Sequence, residues 1–233
     1  MNSIEITPIV GIPEIEPGAD IATAILDALA ADDISLQRGD VLVVTHKIIS
    51  KAEGRFIEAA DDVAYRAAVA DEAKAIIRRR ADLVITQTHH GFICANAGVD
   101  RSNVTGERAV LLPVDPDRSA HGIRMKIART IAFDVPVTVS DTFGRPWRRG
   151  QTDVAIGVSG MQVVSDHRGE PDANGRIMEA TEIAVVDEIA AAADLAMGKA
   201  TQVPAAVVRG VAWTPGSGRA TDLVRPPEED LFR

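Results

Sequence analysis

The stretch Val139-Ser140-Asp141-Thr142-Phe143-Gly144-Arg145-Pro146-Trp147-Arg148-Arg149-Gly150-Gln151-Thr152-Asp153 decides how the rest of the chain is read. It continues an apolar, β-branched run that begins at Val135. It therefore reads as a strand ending on an acid and a hydroxyl, Asp141 and Thr142, and opening into a Gly- and Arg-rich loop. A carboxylate and a hydroxyl are hard oxygen ligands, and guanidinium forks complement phosphate oxygens. The pattern points to a metal ion facing phosphate groups. From Val154 the chain returns to apolar residues.

On the N-terminal side, Ile4 to Val10 alternates apolar and polar residues and reads as a strand, stopped by Gly11-Ile12-Pro13. A helix is expected after Gly18-Ala19-Asp20, with Ile21, Ile25 and Leu29 on one face. Val41 to Thr45 is an apolar strand of the buried kind. Asp61 to Arg80 reads as one alanine-rich helix whose Arg78-Arg79-Arg80 end complements the negative helix terminus. Leu83 to Gln87 and Ala109 to Val114 read as strands, and Pro116 to Ile131 as a helix. Beyond the central stretch, Val154 to Val158 and Met161 to Ser165 look like short strands, and Asp166 to Arg176 is a turn-rich excursion. Thr181 to Met197 is a helix with Gly198 as its C-cap, and Pro204 to Val208 a last strand. The elements mix without strict βαβ alternation, which favours an α+β or mixed fold. Residues 1–233 are taken as one unit, with room for two closely packed subdomains.

The composition is that of an ordinary globular chain, 46% hydrophobic and 25% charged over 233 residues. A formal net charge of -9 argues against a nucleic-acid partner and makes the cluster Arg145 to Arg149 locally unusual. A single cysteine, Cys94, excludes an internal disulfide and fits a reducing compartment. There is no secretory leader and no apolar run of the roughly 20 residues a membrane span needs, so the expected location is cytoplasmic.

The common nucleotide and hydrolase signatures are missing. Gly198-Lys199 resembles the end of a P-loop, but Ala193 stands where a glycine is required and Ala200 where a magnesium-binding hydroxyl belongs. Gly216-Ser217-Gly218 lacks the third glycine of a dinucleotide fingerprint. Gly157 to Met161 misses the nucleophile elbow at its last position. One cysteine gives no zinc spacing, and His89-His90, adjacent in sequence, reads as a pair of exposed turn residues.

Four polar loops at strand ends remain. Gly11-Ile12-Pro13-Glu14-Ile15 is either a ligand-facing backbone or a proline-fixed turn. In Thr45-His46-Lys47 through Arg55, Lys51 is either a phosphate contact or part of a solvated face. Asp100-Arg101-Ser102-Asn103 and the opening stretch each place an aspartate just after an apolar strand. Asp100 and Asp141 are then either independent turn residues or two carboxylates sharing a cation, since such a pair is not cheaply ionised without one.

These segments resemble a known family. Ser50 to Arg55, Ala97 to Asn103, Leu111 to Asp117, Asp141 to Asp153, Asp187 to Leu195 and Val207 to Gly210 are together similar to the coenzyme F-420 gamma-glutamyl ligases, in order over essentially the whole chain. The resemblance implies an unusual α+β fold without a P-loop and a homodimer. It also implies a GTP-dependent ligase that adds L-glutamate to the deazaflavin coenzyme precursor. It implies divalent metal, Mg2+ or Mn2+ at two ions per site, held by Asp100, Asp141 and Thr142, and a monovalent cation such as K+ as a further ion. Nucleotide contacts carry over to Ile12, Pro13, Glu14, Ile15, His46, Lys51 and Asn103, and to the stretch containing Gly198 and Lys199. Lys199 departs from the metal-friendly side chain expected there, which puts a second-metal ligand from that loop in doubt. Lys51, Arg145 and Arg148 are the candidates for neutralising charge during catalysis. Trp147 is either a stacking surface for the deazaflavin or base, or a buried structural residue. Some relatives carry a nitroreductase-like domain after a segment like Asp222 to Pro226, and none is expected here. Two rival readings are a metal-dependent phosphohydrolase, which Phe143 disfavours by standing where a second acid belongs, and a non-catalytic nucleotide- or flavin-binding module. The latter has few stacking surfaces at 3% aromatic residues.

Overall fold

In the computed structural model, which describes residues 3–102 and 106–230, the long apolar runs of the sequence become the middle of a five-stranded sheet. In chain order the elements are β1 (Glu5–Pro8), α1 (Ile21–Ala31), β2 (Val41–Thr45), α2 (His46–Ala52), β3 (Phe56–Glu58) and α3 (Asp62–Glu72). Next come β4 (Ala73–Arg80), β5 (Leu83–Thr88), β6 (Ile93–Ala95), β7 (Arg108–Val110), α4 (Pro116–Ile131), β8 (Val137–Arg145) and β9 (Arg148–Ser159). β10 (Ser165–Asp166), β11 (Glu182–Ile183), α5 (Val185–Met197) and β12 (Ala205–Arg209) complete the set. The main sheet has the order β1-β12-β2-β8-β9, all neighbours antiparallel except the parallel pair β2 and β8.

Central strands buried on both faces read as unbroken apolar runs. Val41 to Val44 in β2 and Val137 and Val139 in β8 are accordingly fully buried, each worth about 1.5–3 kcal/mol of transfer free energy. α1 is capped by Asp20, which accepts from the Thr23 backbone N–H, and buries Ile21, Ile25 and Leu29 as their spacing predicts. α4 is capped by Asp115 and has Pro116 at its first turn, where a missing N–H costs nothing. It lies so close to β9 that a Cβ on Gly157 would stand 2.6 Å from the Pro116 backbone. A second, smaller apolar cluster joins α3 to β7 through Ala68, Val69, Val99, Ala109 and Leu111.

The architecture is the expected α+β mixture, with no helix among the described residues long and apolar enough to cross a membrane. Several sequence expectations need correction. The helix expected over Asp61 to Arg80 ends at Glu72, and Ala73–Arg80 is β4, the edge of a three-stranded sheet with β5 and β6. Alanine, lysine and arginine favour helix locally, but β5 needs a partner on its free side. The Ile76-Ile77 pair and the left-handed Ala81 (φ 51°) let the chain fold back as a hairpin. The arginines 78 to 80 are therefore exposed charges on an edge strand, where they discourage further strand pairing, rather than a helix cap. The strand expected over Ala109 to Val114 is only Arg108–Val110, and the helix expected from Thr181 begins at Val185 because Glu182–Ile183 pairs with β10. The loop expected after Asp141-Thr142 is a β-hairpin. β8 runs on to Arg145, Pro146 and Trp147 make the turn, and β9 is one twelve-residue strand that absorbs the short strand expected from Val154. Met161 makes only an isolated bridge, to Pro215.

Candidate functional site

Strand direction explains why the polar loops gather. β2 and β8 are parallel, with Thr45 opposite Ser140, so both leave the sheet at one edge. β9 and β12 run the other way and enter there, with Asp153 opposite Thr142 and Ala205 opposite Val44. β1 also ends there, with Pro8 opposite Ala206. One rim thus receives residues 9–15, α2, the root of the β8–β9 hairpin and the loop 198–204. The rim beyond the carboxyl ends of parallel strands is a common place for ligands in open sheets.

α2 rises from this rim, and three of its side chains each face a different acid. His46 is 1% exposed, and its Nε2 lies 3.3 Å from Asp141 Oδ1. The approach is not aligned as a hydrogen bond, so Nε2 has no hydrogen-bond partner among the described residues. Its Nδ1 stands 3.4 Å from Ser50 Oγ. Lys47 Nζ is 2.7 Å from Asp100 Oδ2 and donates to Ser102 Oγ at 2.7 Å. Burial pushes the Asp100 carboxyl up, but hydrogen bonds from Lys47 and Ser102 outweigh it and hold the group below the ordinary carboxylate value. Lys51, buried, donates to Glu14 of the 9–15 loop. These contacts set the expected residues Glu14, Asp100 and Asp141 each against α2, which carries the expected His46 and Lys51. Asn103 lies outside the described residues.

At the hairpin root a second cluster surrounds Asp153, which is 4% exposed. Its Oδ2 accepts from Ser140 Oγ at 2.8 Å, and its Oδ1 accepts from Thr142 Oγ1 at 2.6 Å. Gly198, the C-cap of α5 with φ 64°, turns the chain so that Lys199 comes back over β8. Lys199 Nζ then donates to Thr142 Oγ1 (2.6 Å), Asp153 Oδ1 (2.9 Å) and Asp194 Oδ1 (2.6 Å). Burial pushes the Lys199 ammonium down, but Asp194 and Asp153 more than compensate and leave its pKa above the ordinary lysine value.

Asp153 and Asp194 were missed in the sequence. Asp153 is the last residue of the opening stretch, yet a regular two-residue turn at Pro146-Trp147 would place it opposite Ser140. The irregularity between Gly144 and Arg145 moves it opposite Thr142. Lys47 lies in the Thr45 to Arg55 stretch, where the sequence assigns it no role. Asp194 has no local signal, being one half-buried acid in a helix.

The candidate catalytic arginines stand elsewhere. Arg145 and Arg148 pair with each other at the hairpin tip, three residues or roughly 10 Å along the strand from Thr142. Arg145 Nη2 donates to the Arg149 carbonyl at 2.9 Å, and Arg148 is exposed. Trp147, with φ 58°, is 77% exposed, so the buried structural role does not apply. Cys94 is buried, and burial together with the Asp141 charge pushes its thiol up to about 12, which removes it as a thiolate nucleophile at neutral pH. His89 and His90 cap backbone carbonyls in a turn, Asp71 for the first and Pro113 for the second. Beside the hairpin root lies a cavity of about 290 Å³ walled by Phe92, Phe143, Leu223, Val224 and Asp187. Burial raises the Asp187 carboxyl, although Ala155 N–H donates to it.

Among the described residues no three acidic, histidine or cysteine side chains are grouped to cage a metal ion by themselves. The donor set nevertheless fits Mg2+ or Mn2+. Such ions are held by one or two carboxylates and complete their shell with water and substrate phosphates. Asp100 and Asp141 supply hard oxygens, each already drawn to a basic group of α2, and the unpartnered His46 Nε2 faces the second of them.

Fold and rim together define an α+β protein with clusters of acidic and basic side chains gathered at strand ends. The family model described as F420-0:Gamma-glutamyl ligase matches residues 10–210. The Coenzyme F420:L-glutamate ligase of Methanothermobacter thermautotrophicus is 40% identical, over 99% of both chains. The proteins of that name from Methanocaldococcus jannaschii and Methanopyrus kandleri are 39% and 37% identical, over 85% and 100% of this chain and 86% and 99% of theirs. The chain belongs to the F420-0:gamma-glutamyl ligase family.

Proposed function

We propose that the protein is a ligase that joins L-glutamate to the deazaflavin coenzyme F-420 precursor, first to the form without glutamate and then to the form with one, using GTP. The relatives' shared name supports the ligation chemistry. The observation that supports the reading is that α2, at the sheet rim, sets His46 against Asp141, Lys47 against Asp100 and Lys51 against Glu14.

In this reading a carboxylate oxygen of the precursor attacks the γ-phosphorus of GTP, and GDP leaves. The glutamate amine then attacks the acyl carbon and sheds a proton, the amide forms, and inorganic phosphate leaves. Both substrates of the first step are anions, so the residues at the rim must offset their repulsion. Lys51 would release Glu14 to meet phosphate, with the backbone of Ile12 to Ile15 and His46 alongside. Asp100 and Asp141 would hold a divalent ion, and the ion supplies positive charge against the phosphates. Thr142, next along β8, turns its hydroxyl to the other face, to Asp153 and Lys199, and would contribute from that cluster. Arg145 and Arg148 would meet anionic substrate from the hairpin tip. The Phe92–Phe143 cavity suits a flat ring beside Asp141. The protein would act as a homodimer.

The test is purified protein with GTP, Mg2+ or Mn2+, L-glutamate and the precursor, followed by mass spectrometry for one and two added glutamates. Phosphate release that needs neither glutamate nor precursor would replace this reading with a phosphohydrolase. Asp141→Asn should fold normally and lose most metal-dependent turnover. Near wild-type activity would remove Asp141 as a metal ligand.

A further inference from the structure

The loop 198–204 carries a feature that ligation by itself does not require. An ammonium has three N–H donors and no acceptor. All three donors of Lys199 point at oxygen, from Thr142, Asp153 and Asp194, at 2.6–2.9 Å. No donor is left over for a phosphate oxygen. The three oxygens come from three different elements, β8, β9 and α5, and two of them belong to carboxylates. One of those, Asp153, is almost wholly buried, where an unpaired charge would be costly. Lys199 arrives from the glycine-capped end of α5, and most of its side chain is exposed while its nitrogen is tied down. The arrangement is that of a cation coordinated by a hydroxyl and two carboxylates, with the cation attached to the chain.

We infer that Lys199 is a tethered cation that occupies a second cation position beside Thr142, so that each site takes one divalent ion, at Asp100 and Asp141, rather than two. The inference rests on the proposed metal-dependent site for its first ion only. The chain is thereby self-sufficient in one of the two positive charges, and that charge does not depend on metal concentration. Lys199 is a positioning residue: its ammonium holds Thr142 and Asp153 in place without touching a reacting atom.

The experiment counts Mn2+ per chain by electron paramagnetic resonance of the free ion, with Mn2+ alone as ligand, in wild type, Lys199→Met and Lys199→Arg. The melting temperature of each is followed against Mn2+. Wild type and Lys199→Arg should bind one ion. Lys199→Met should bind two, melt below wild type without metal, and regain stability as Mn2+ is added. Adding Asp153→Asn to Lys199→Met should remove the second ion. Two ions in wild type, or one ion in both wild type and Lys199→Met, would overturn the inference. No ion in wild type but one in Lys199→Met would uphold the tethered cation while refuting the metal reading of Asp100 and Asp141. No ion in either would refute both.

Discussion

Replacing Asp153 by alanine should be among the most destabilising single changes at the rim. The substitution removes the acceptor of three hydrogen bonds, from Ser140 Oγ, Thr142 Oγ1 and Lys199 Nζ. Hydrogen bonds to a charged group contribute about 1.5–3 kcal/mol each, but the three losses are unequal. Lys199 retains Asp194 and has access to water, and Thr142 is part-exposed, so both find substitutes. Ser140 is fully buried and has no such recourse. The expected cost is therefore about 3–5 kcal/mol, the range for breaking a buried charge pair. For a chain of this size that corresponds to a fall in Tm of roughly 6–20 °C. Asp153→Asn keeps the volume and one acceptor oxygen and should lose about half as much. Urea unfolding of wild type, both variants, Lys199→Met and the Asp153→Ala/Lys199→Met pair gives the costs and their coupling. If Asp153→Ala loses less than about 1 kcal/mol, or the pair is additive, then Asp153 is not the hub of the cluster.

Two further outcomes follow from packing and burial. Gly157→Ala should destabilise by about 1–3 kcal/mol, because its Cβ would stand 2.6 Å from the Pro116 backbone and α4 must shift away from β9; an unchanged urea midpoint would mean that α4 is not held there. Asp187 has a carboxyl raised by burial, so the folded state favours its protonated form and the wild type loses that contribution as pH rises through the raised value. Asp187→Asn should therefore melt higher than wild type at pH 7 and equally at pH 3, below the ordinary carboxylate value of about 3.9; an equal gain at both pH values would show that charge is not the cause.

Much of the fold was legible because its signals are local. α1 and α4 carry their caps, Asp20 and Asp115, within one turn of the residues they serve, and β2 announces its burial as Val41-Leu42-Val43-Val44. β4 was not legible, because its residues favour helix in isolation and only pairing with β5 makes them a strand. The reach of the β8–β9 hairpin was hidden for a similar reason: Gly144 and the Arg-rich tip resemble a loop until the two arms pair.

The site divides along the same line. The sequence by itself determined which residues are candidates, since acid, hydroxyl and lysine at strand ends suit charge handling wherever they lie. Asp100, Asp141, Thr142 and Lys51 stand out that way, and the family resemblance gives them their expected roles. Only the tertiary structure decided which of them meet. The parallel pairing of β2 and β8 puts His46 against Asp141, a register irregularity puts Asp153 under Thr142, and the turn at Gly198 carries Lys199 across 57 residues of sequence to Thr142 and 46 to Asp153. The Asp141 to Asp153 stretch is thus two halves with different work: a root that gathers acids and a cation, and an arginine tip held about 10 Å away by the strands between them. Side-chain type is written residue by residue, whereas distance is set by register and strand direction, which no single residue encodes.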